Sequence, residues 1–371
     1  TRWHEDGTRD DQGAFCYVRD VESGEFWSTA HQPTHRRPAV YEAILSEGRA
    51  EFRRRDAIDG GFDVETYTEI VVSPEDDIEL RRVRLTNRSS RRREIEVTSY
   101  AEVVIAPQAA DALHPAFSKL FVQTEILPQQ QAILCMRRPR APEEATPWML
   151  HLMTVHGVDV GAVSWETDRA AFIGRTRSTA APRAMDAGVE LSGSDGAVLD
   201  PIVAIRQRFF LEPEQSATVD IVTGMADSRD AAQCLVGKYR DRHLADRVFD
   251  LAWTHCQVEL QQINAVEADA QLYARLAGAV LYASPALRVD AALLVRNRRG
   301  QSGLWGYSIS GDLPIVLLQI GDGANIELVR QLVQAHAYWR LKGLAVDLVI
   351  WNEDHAGYRQ RLQEQIIDLV A

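Results

Sequence analysis

Trp305-Gly306-Tyr307-Ser308-Ile309-Ser310-Gly311-Asp312-Leu313-Pro314 is the stretch in which residue types and spacing come nearest to a binding chemistry. An aromatic ring packs against the apolar C–H face of a pyranose, and carboxylate or amide oxygens accept its hydroxyl protons; Trp305, Tyr307 and Asp312 offer the rings and the carboxylate. Trp305, Tyr307, Ser310 and Asp312 therefore form a candidate sugar subsite on a glycine-flexible loop. The same stretch also reads as a glycine-rich turn opening a helix, with Trp305 packed against the β-rich part of the chain.

A second group is Trp351-Asn352-Glu353-Asp354-His355. Glu353, Asp354 and His355 have the residue types of an acid, a base or a metal ligand, because an imidazole titrates near neutrality and adjacent carboxylates oppose one another's ionisation. Neighbours on one loop rarely converge on one atom, however. Asn352 can equally cap a following turn, with Glu353 and Asp354 favourable near a helix N-terminus. His114-Pro115-Ala116-Phe117 and His4-Glu5-Asp6 are weaker candidates that read first as structural corners. HExxH, P-loop and GxSxG patterns are absent and no metal-ligand spacing occurs, so the residues point to no metal, no cofactor and no catalytic group of those classes.

These groups must be held by a chain of 371 residues, 46% hydrophobic and 25% charged, the composition of a globular protein with more than one core. Its 41 Lys and Arg against 53 Asp and Glu give a net charge of −12, which disfavours nucleic acid or an anionic membrane surface as partner. Cys16, Cys135, Cys234 and Cys256 have no paired spacing and sit among apolar neighbours, as buried free thiols of a reducing compartment do. No apolar run reaches the roughly 18 residues of a membrane span. The chain opens without Met and with no signal peptide, as a piece of a longer protein would.

From Phe15 to Thr223 the pattern is short, β-rich and interrupted by turns. Ala14 to Arg19 and Glu25 to Ser28 flank the turn Val21-Glu22-Ser23-Gly24. Thr66 to Val72 and Ile78 to Asn87 form a hairpin, and Glu94 to Tyr100 alternates, with Ile95 and Val97 on one face. The arginines of Arg88-Ser89-Ser90-Arg91-Arg92-Arg93 can form an anion patch, but acidic residues alternate through the same strands, so a solvated loop and edge-strand charge is the reading taken. Leu120 to Leu127, Gln131 to Met136, Trp148 to Val155, Ile202 to Leu211 and Ala217 to Thr223 continue a large antiparallel sandwich.

Past Gly224 the apolar spacing becomes three and four residues: Ser228 to Tyr239, Asp246 to Glu267 and Ala268 to Tyr282 predict helices. Beyond the 297–314 loop, Ile315 to Ile320 and Asn325 to Leu341 are expected to be helical. Leu344 to Ile350 reads as a buried strand or an apolar approach to a loop, and Gly357 to Val370 as a last helix. The fold expected is β plus α: a sandwich over residues 1–224, a helical linker over 225–296 and an incomplete helical domain over 297–371.

A β supersandwich followed by a helical linker and the 305–314 loop resembles glycoside hydrolase family 94, formerly glycosyltransferase family 36. Thr1-Arg2-Trp3, Asp10 to Asp20, Asp111 to Phe117 and Val329 to His355 are similar to an internal segment of the cyclic β-1,2-glucan synthases within it, the first of two tandem family 94-like segments. The resemblance implies that residues 297–371 begin an (α/α)6-type barrel. It implies a large membrane-embedded parent of transferase and phosphorylase type, with this part soluble on the cytoplasmic face of the bacterial inner membrane and free of direct membrane contact. The implied partners are β-1,2-glucan or a glucosyl oligosaccharide and the remaining domains of the parent. In related phosphorylases an Arg and an Asp of this loop hold the non-reducing glucose. Asp312 aligns with that carboxylate, but Ser308 stands where the Arg belongs, and the family's catalytic Asp has no match in this chain. Two readings follow: a contributor to glucan synthesis or processing that is inactive alone, or a non-catalytic scaffold or glucan-binding copy.

Overall fold

The computed structural model describes residues 12–58, 62–139, 141, 143–144, 146–282, 284–354 and 361–370. It divides into two compact units, Thr1–Trp253 and Thr254–Ala371.

The first unit is a sandwich of two antiparallel sheets. Its strands are β1 (Ala14–Asp20), β2 (Phe26–Ser28), β3 (Val40–Ser46), β4 (Arg49–Ile58), β5 (Phe62–Val72), β6 (Ile78–Asn87), β7 (Arg93–Glu102), β8 (Val122–Leu127), β9 (Ala132–Arg137), β10 (Trp148–His156), β11 (Val160–Asp168), β12 (Pro201–Leu211) and β13 (Ser216–Ala226). One sheet has the order β11-β12-β7-β1-β2 and the other β3-β4-β5-β6-β13-β10-β9-β8. Alternation sends Val83, Leu85, Val97, Met153, Ile205 and Val219 into the space between the sheets, where they bury a common apolar core.

Helices cover part of the far face of the eight-stranded sheet. Leu80, Leu134, Leu152 and Val222 pack there against Val236 and Tyr239 of α4 (Arg229–Tyr239) and Val248 and Phe249 of α5 (Arg242–Gln262). Ser228 caps α4, its hydroxyl accepting from Ala231 N–H at 3.1 Å. Short helices α1 (Gln108–Leu113), α2 (Pro115–Lys119) and α3 (Arg169–Ile173) lie in the connections, and Phe172 of α3 joins Tyr17 and Tyr100 on the outer face of the five-stranded sheet.

Arg88, Arg92 and Arg93 of the turn are ion-paired rather than gathered into an anion patch, but the edge-strand part of the reading is corrected: β6 lies between β5 and β13, β7 between β12 and β1, and Arg93 is buried. Arg88 pairs with Glu65 at 2.9 Å and Glu214 at 2.5 Å, Arg92 with Glu212 at 3.2 Å and Arg93 with Glu22 at 2.9 Å. The cysteine reading needs one correction. None of the four is in a disulfide, and Cys16, Cys135 and Cys256 are buried, but Cys234 is exposed because it lies on the face of α4 turned from the sheet.

The second unit contains α6 (Glu267–Leu281), α7 (Ala291–Arg296), β14 (Ile315–Ile320), α8 (Ile326–Leu341), β15 (Asp347–Asn352) and α9 (Arg361–Val370). The helix expected to run on to Glu267 stops at Gln262: Asn264 takes φ +52°, and Ala265 N–H turns back to Leu260 O at 2.9 Å. The helix expected over Ile315 to Ile320 is instead strand β14, paired in parallel with β15 from Ile315↔Asp347 to Ile320↔Asn352, with α8 as the crossover. A six-residue apolar run carries no period that separates strand from helix, and a parallel partner must lie far along the chain. Trp339 of α8 is buried against α6, where its indole N–H donates to Tyr273 O at 2.8 Å. Val329 of α8 packs with Leu362 and Ile366 of α9 and Ile320 of β14.

Candidate functional site

The loop between α7 and β14 is shaped by its own hydrogen bonds. Gln301–Gly303 and Trp305–Tyr307 each form one 3-10 turn, and Ser308 and Gly311 take φ values of +60° and +77°. Ser310 is the hub of the turn. Its carbonyl oxygen accepts from Gln301 Nε2 at 2.9 Å and from Trp305 Nε1 at 3.3 Å, while its Oγ accepts from Asp312 N–H at 3.2 Å. Gln301 Nε2 also donates to Asp312 Oδ1 at 2.7 Å.

These bonds fix the backbone and leave the rings outside. Trp305 is 64% exposed and Tyr307 74% exposed, so neither ring is packed away by its own loop. Trp305 offers its face while its N–H is spent inward, and Asp312 offers one carboxylate oxygen. That combination suits a sugar ring stacked on an indole with a hydroxyl donated to Asp312.

Glu353 and Asp354 stand elsewhere. They follow β15, whereas Asp312 precedes β14, so the two groups lie at opposite ends of a six-residue parallel pair, a span of about 17–20 Å. Asn352 makes the turn that its type suggests: its Oδ1 accepts from Asp354 N–H at 2.9 Å, and its Nδ2 donates to Gln363 Oε1 of α9 at 3.1 Å. Glu353 N–H donates to Ile320 O at 2.7 Å, continuing the strand pairing. His355 and His4-Glu5-Asp6 lie outside the described residues. His114 is an exposed junction between α1 and α2 whose backbone turns the chain at φ −146°.

Among the described residues no group of three or more His, Cys, Asp or Glu is placed to hold a metal ion. Two of the strongly displaced titrations lie in the sandwich interior. Burial, with Arg81 adding to it, lowers His151 to about 3, and burial raises the Cys16 thiol to about 12. Gln301 is the site residue that the sequence did not single out. Its amide lies 11 residues before Asp312, a separation no helical or strand period links, and only the fold of the loop brings them together.

Comparison with known proteins places this architecture. The model of the glycosyl hydrolase 94 supersandwich domain matches residues 1–242. The chain is 34% identical over 366 residues to the cyclic beta-(1,2)-glucan synthase NdvB of Rhizobium meliloti (strain 1021), covering 99% of this chain and 13% of that protein. It is 27% identical over 224 residues to the solabiose phosphorylase of Paenibacillus borealis, covering 60% of this chain and 27% of the relative. To the N,N'-diacetylchitobiose phosphorylase of Vibrio furnissii it is 25% identical over 251 residues, covering 67% and 29%. The chain thus spans between 13% and 29% of the length of these relatives. Since the matched residues run through all the strands of both sandwich sheets and into the helix that follows, the chain belongs to the glycosyl hydrolase 94 family through its supersandwich domain.

Proposed function

We propose that this chain is a glucan-handling segment of a larger enzyme that builds or processes a β-1,2-glucan, and that the Trp305 to Asp312 loop is its sugar contact. The observation that carries the reading is an exposed indole face beside a carboxylate held by its own loop. Likeness to a cyclic beta-(1,2)-glucan synthase along 99% of the chain supports the substrate class. In this account Trp305 and Tyr307 stack on glucosyl rings, Asp312 accepts a hydroxyl, and Ser310 braces the loop.

The assignment of parts is also ours: a sandwich over 1–224, a linker over 225–296 and the opening of a helical barrel over 297–371, completed by other domains of the parent. No residue of the chain is given the role of catalytic acid. Among the described residues no helix is long and apolar enough to cross a membrane. The segment is taken to work at the cytoplasmic face of the inner membrane as part of a membrane-embedded parent.

Ser308 in place of an Arg favours a second reading, a binding copy that holds the glucan for other domains and does no chemistry. Native gel electrophoresis with β-1,2-glucan cast in the gel tests the shared claim: the chain is retarded relative to a glucan-free gel, and equal mobility in both overturns it. Release of glucose 1-phosphate from glucan and inorganic phosphate by the isolated chain would rule out the scaffold reading.

A further inference from the structure

We infer that Gln301 is the positioning residue of the loop, its side-chain amide turning Asp312 so that a single carboxylate oxygen, Oδ2, meets a sugar hydroxyl. The inference rests on the glucan-binding reading and extends it to a residue that touches no sugar.

Three observations converge on this role. Gln301 Nε2 donates both to Asp312 Oδ1 at 2.7 Å and to Ser310 O at 2.9 Å, so both donors of one amide group close the loop onto itself. Gly311, between the two acceptors, has φ +77°, and a Cβ there would stand 2.9 Å from Gln301 Cγ and 3.0 Å from Leu304 Cδ1, so the backbone is folded directly over the Gln301 stem. Asp312 has no ion pair among the described residues, and Oδ2 accepts no hydrogen bond there, so the amide is the group that sets which oxygen faces outward.

A neutral donor suits this role. An Arg would engage the carboxylate in a bidentate ion pair and compete with the sugar for its lone pairs, a Glu would repel it, and an Ala would let it rotate. An amide orients Asp312 while leaving its charge in place. With Oδ1 engaged by the amide, Oδ2 is the oxygen that no protein donor occupies among the described residues, and it is the one presented to a sugar hydroxyl.

The test compares the full chain with Gln301→Ala, Gln301→Glu and Asp312→Ala, using linear β-1,2-glucan in calorimetric titration and hydrogen exchange without sugar. Hydrogen exchange of residues 305–312 is expected to quicken at least tenfold in Gln301→Ala while the sandwich strands stay unchanged. Glucan binding is expected to weaken about tenfold in Gln301→Ala. In Gln301→Glu it is expected to be weak at pH 8 and to recover toward the unaltered chain near pH 5, where two facing carboxylates share a proton and a donor is restored. The unaltered chain should show no such recovery. Unchanged exchange of the loop in Gln301→Ala, or Gln301→Glu binding that matches the unaltered chain at pH 8, overturns the inference even if glucan binds. Quickened exchange with no glucan binding by the unaltered chain instead defeats the glucan reading, and with it the role of Oδ2.

Discussion

Ser99 Oγ and His151 Nε2 stand 2.8 Å apart, joining β7 of one sheet to β10 of the other through the sandwich interior. Thr223 Oγ1 on β13 lies 2.8 Å from the other ring nitrogen, so a neutral imidazole has one hydroxyl to donate to and one to accept from.

This bridge makes the fold acid-sensitive in a definite direction. His151 is held down to about 3 in the fold against an ordinary value of 6.5, so the neutral ring contributes stability above pH 6.5 that is lost as pH falls from there toward 3. The urea midpoint should drop between pH 7 and pH 4, and the drop should be smaller in His151→Gln. Equal pH slopes for the two proteins would show that the bridge carries no such linkage.

Asp220 of β13 is fully buried and accepts from Arg82 of β6 at 2.7 and 2.8 Å. Arg82 also reaches Asp246 of α5 and lies over the Phe249 ring at 4.9 Å, tying sheet to helix. Removing the cation strands a buried carboxylate, so Arg82→Met should lower unfolding free energy by about 3–5 kcal/mol in denaturant melts.

Gly224 of β13 has no room for a side chain. A Cβ there would come within 2.4 Å of Ile78 Cγ2 and 2.6 Å of Asp77 O at the end of the β6 pairing. Gly224→Ala should therefore cost about 1–3 kcal/mol through backbone displacement, and a melting temperature equal to that of the unaltered chain would refute the clash.

Gly311 separates loop function from fold stability. Its φ of +77° and its closeness to Gln301 mean that Gly311→Ala should move Asp312 and weaken glucan binding about tenfold. The exposed loop adds little to the cores, so the melting temperature should change by under about 2 °C. Loss of fold with loss of binding would contradict this division.

The sandwich was legible where alternation met turn chemistry. Glu94 to Tyr100 alternates because Ile95 and Val97 face the core, and that pattern places β7. Strand β4 is harder to read because its sequence is crowded with arginines; Arg54 points inward, buried with Asp56 at 2.7 and 2.8 Å, an ion pair that hydropathy counts as surface. Strand β14 has no readable period, and its parallel partner is fixed only by the α8 crossover. At the candidate site, residue types named Trp305 and Asp312, but the Gln301–Asp312 hydrogen bond depends on a left-handed glycine and a folded loop that spacing does not encode.

Calorimetric titration of the full chain with linear β-1,2-glucan, beside Trp305→Ala and Asp312→Ala, tests the central claim most directly. The account predicts binding by the unaltered chain with a Kd between about 1 µM and 1 mM, weakened at least tenfold in each variant with the melting temperature preserved. Equal affinity in all three proteins, or no binding heat from a folded chain, would contradict it.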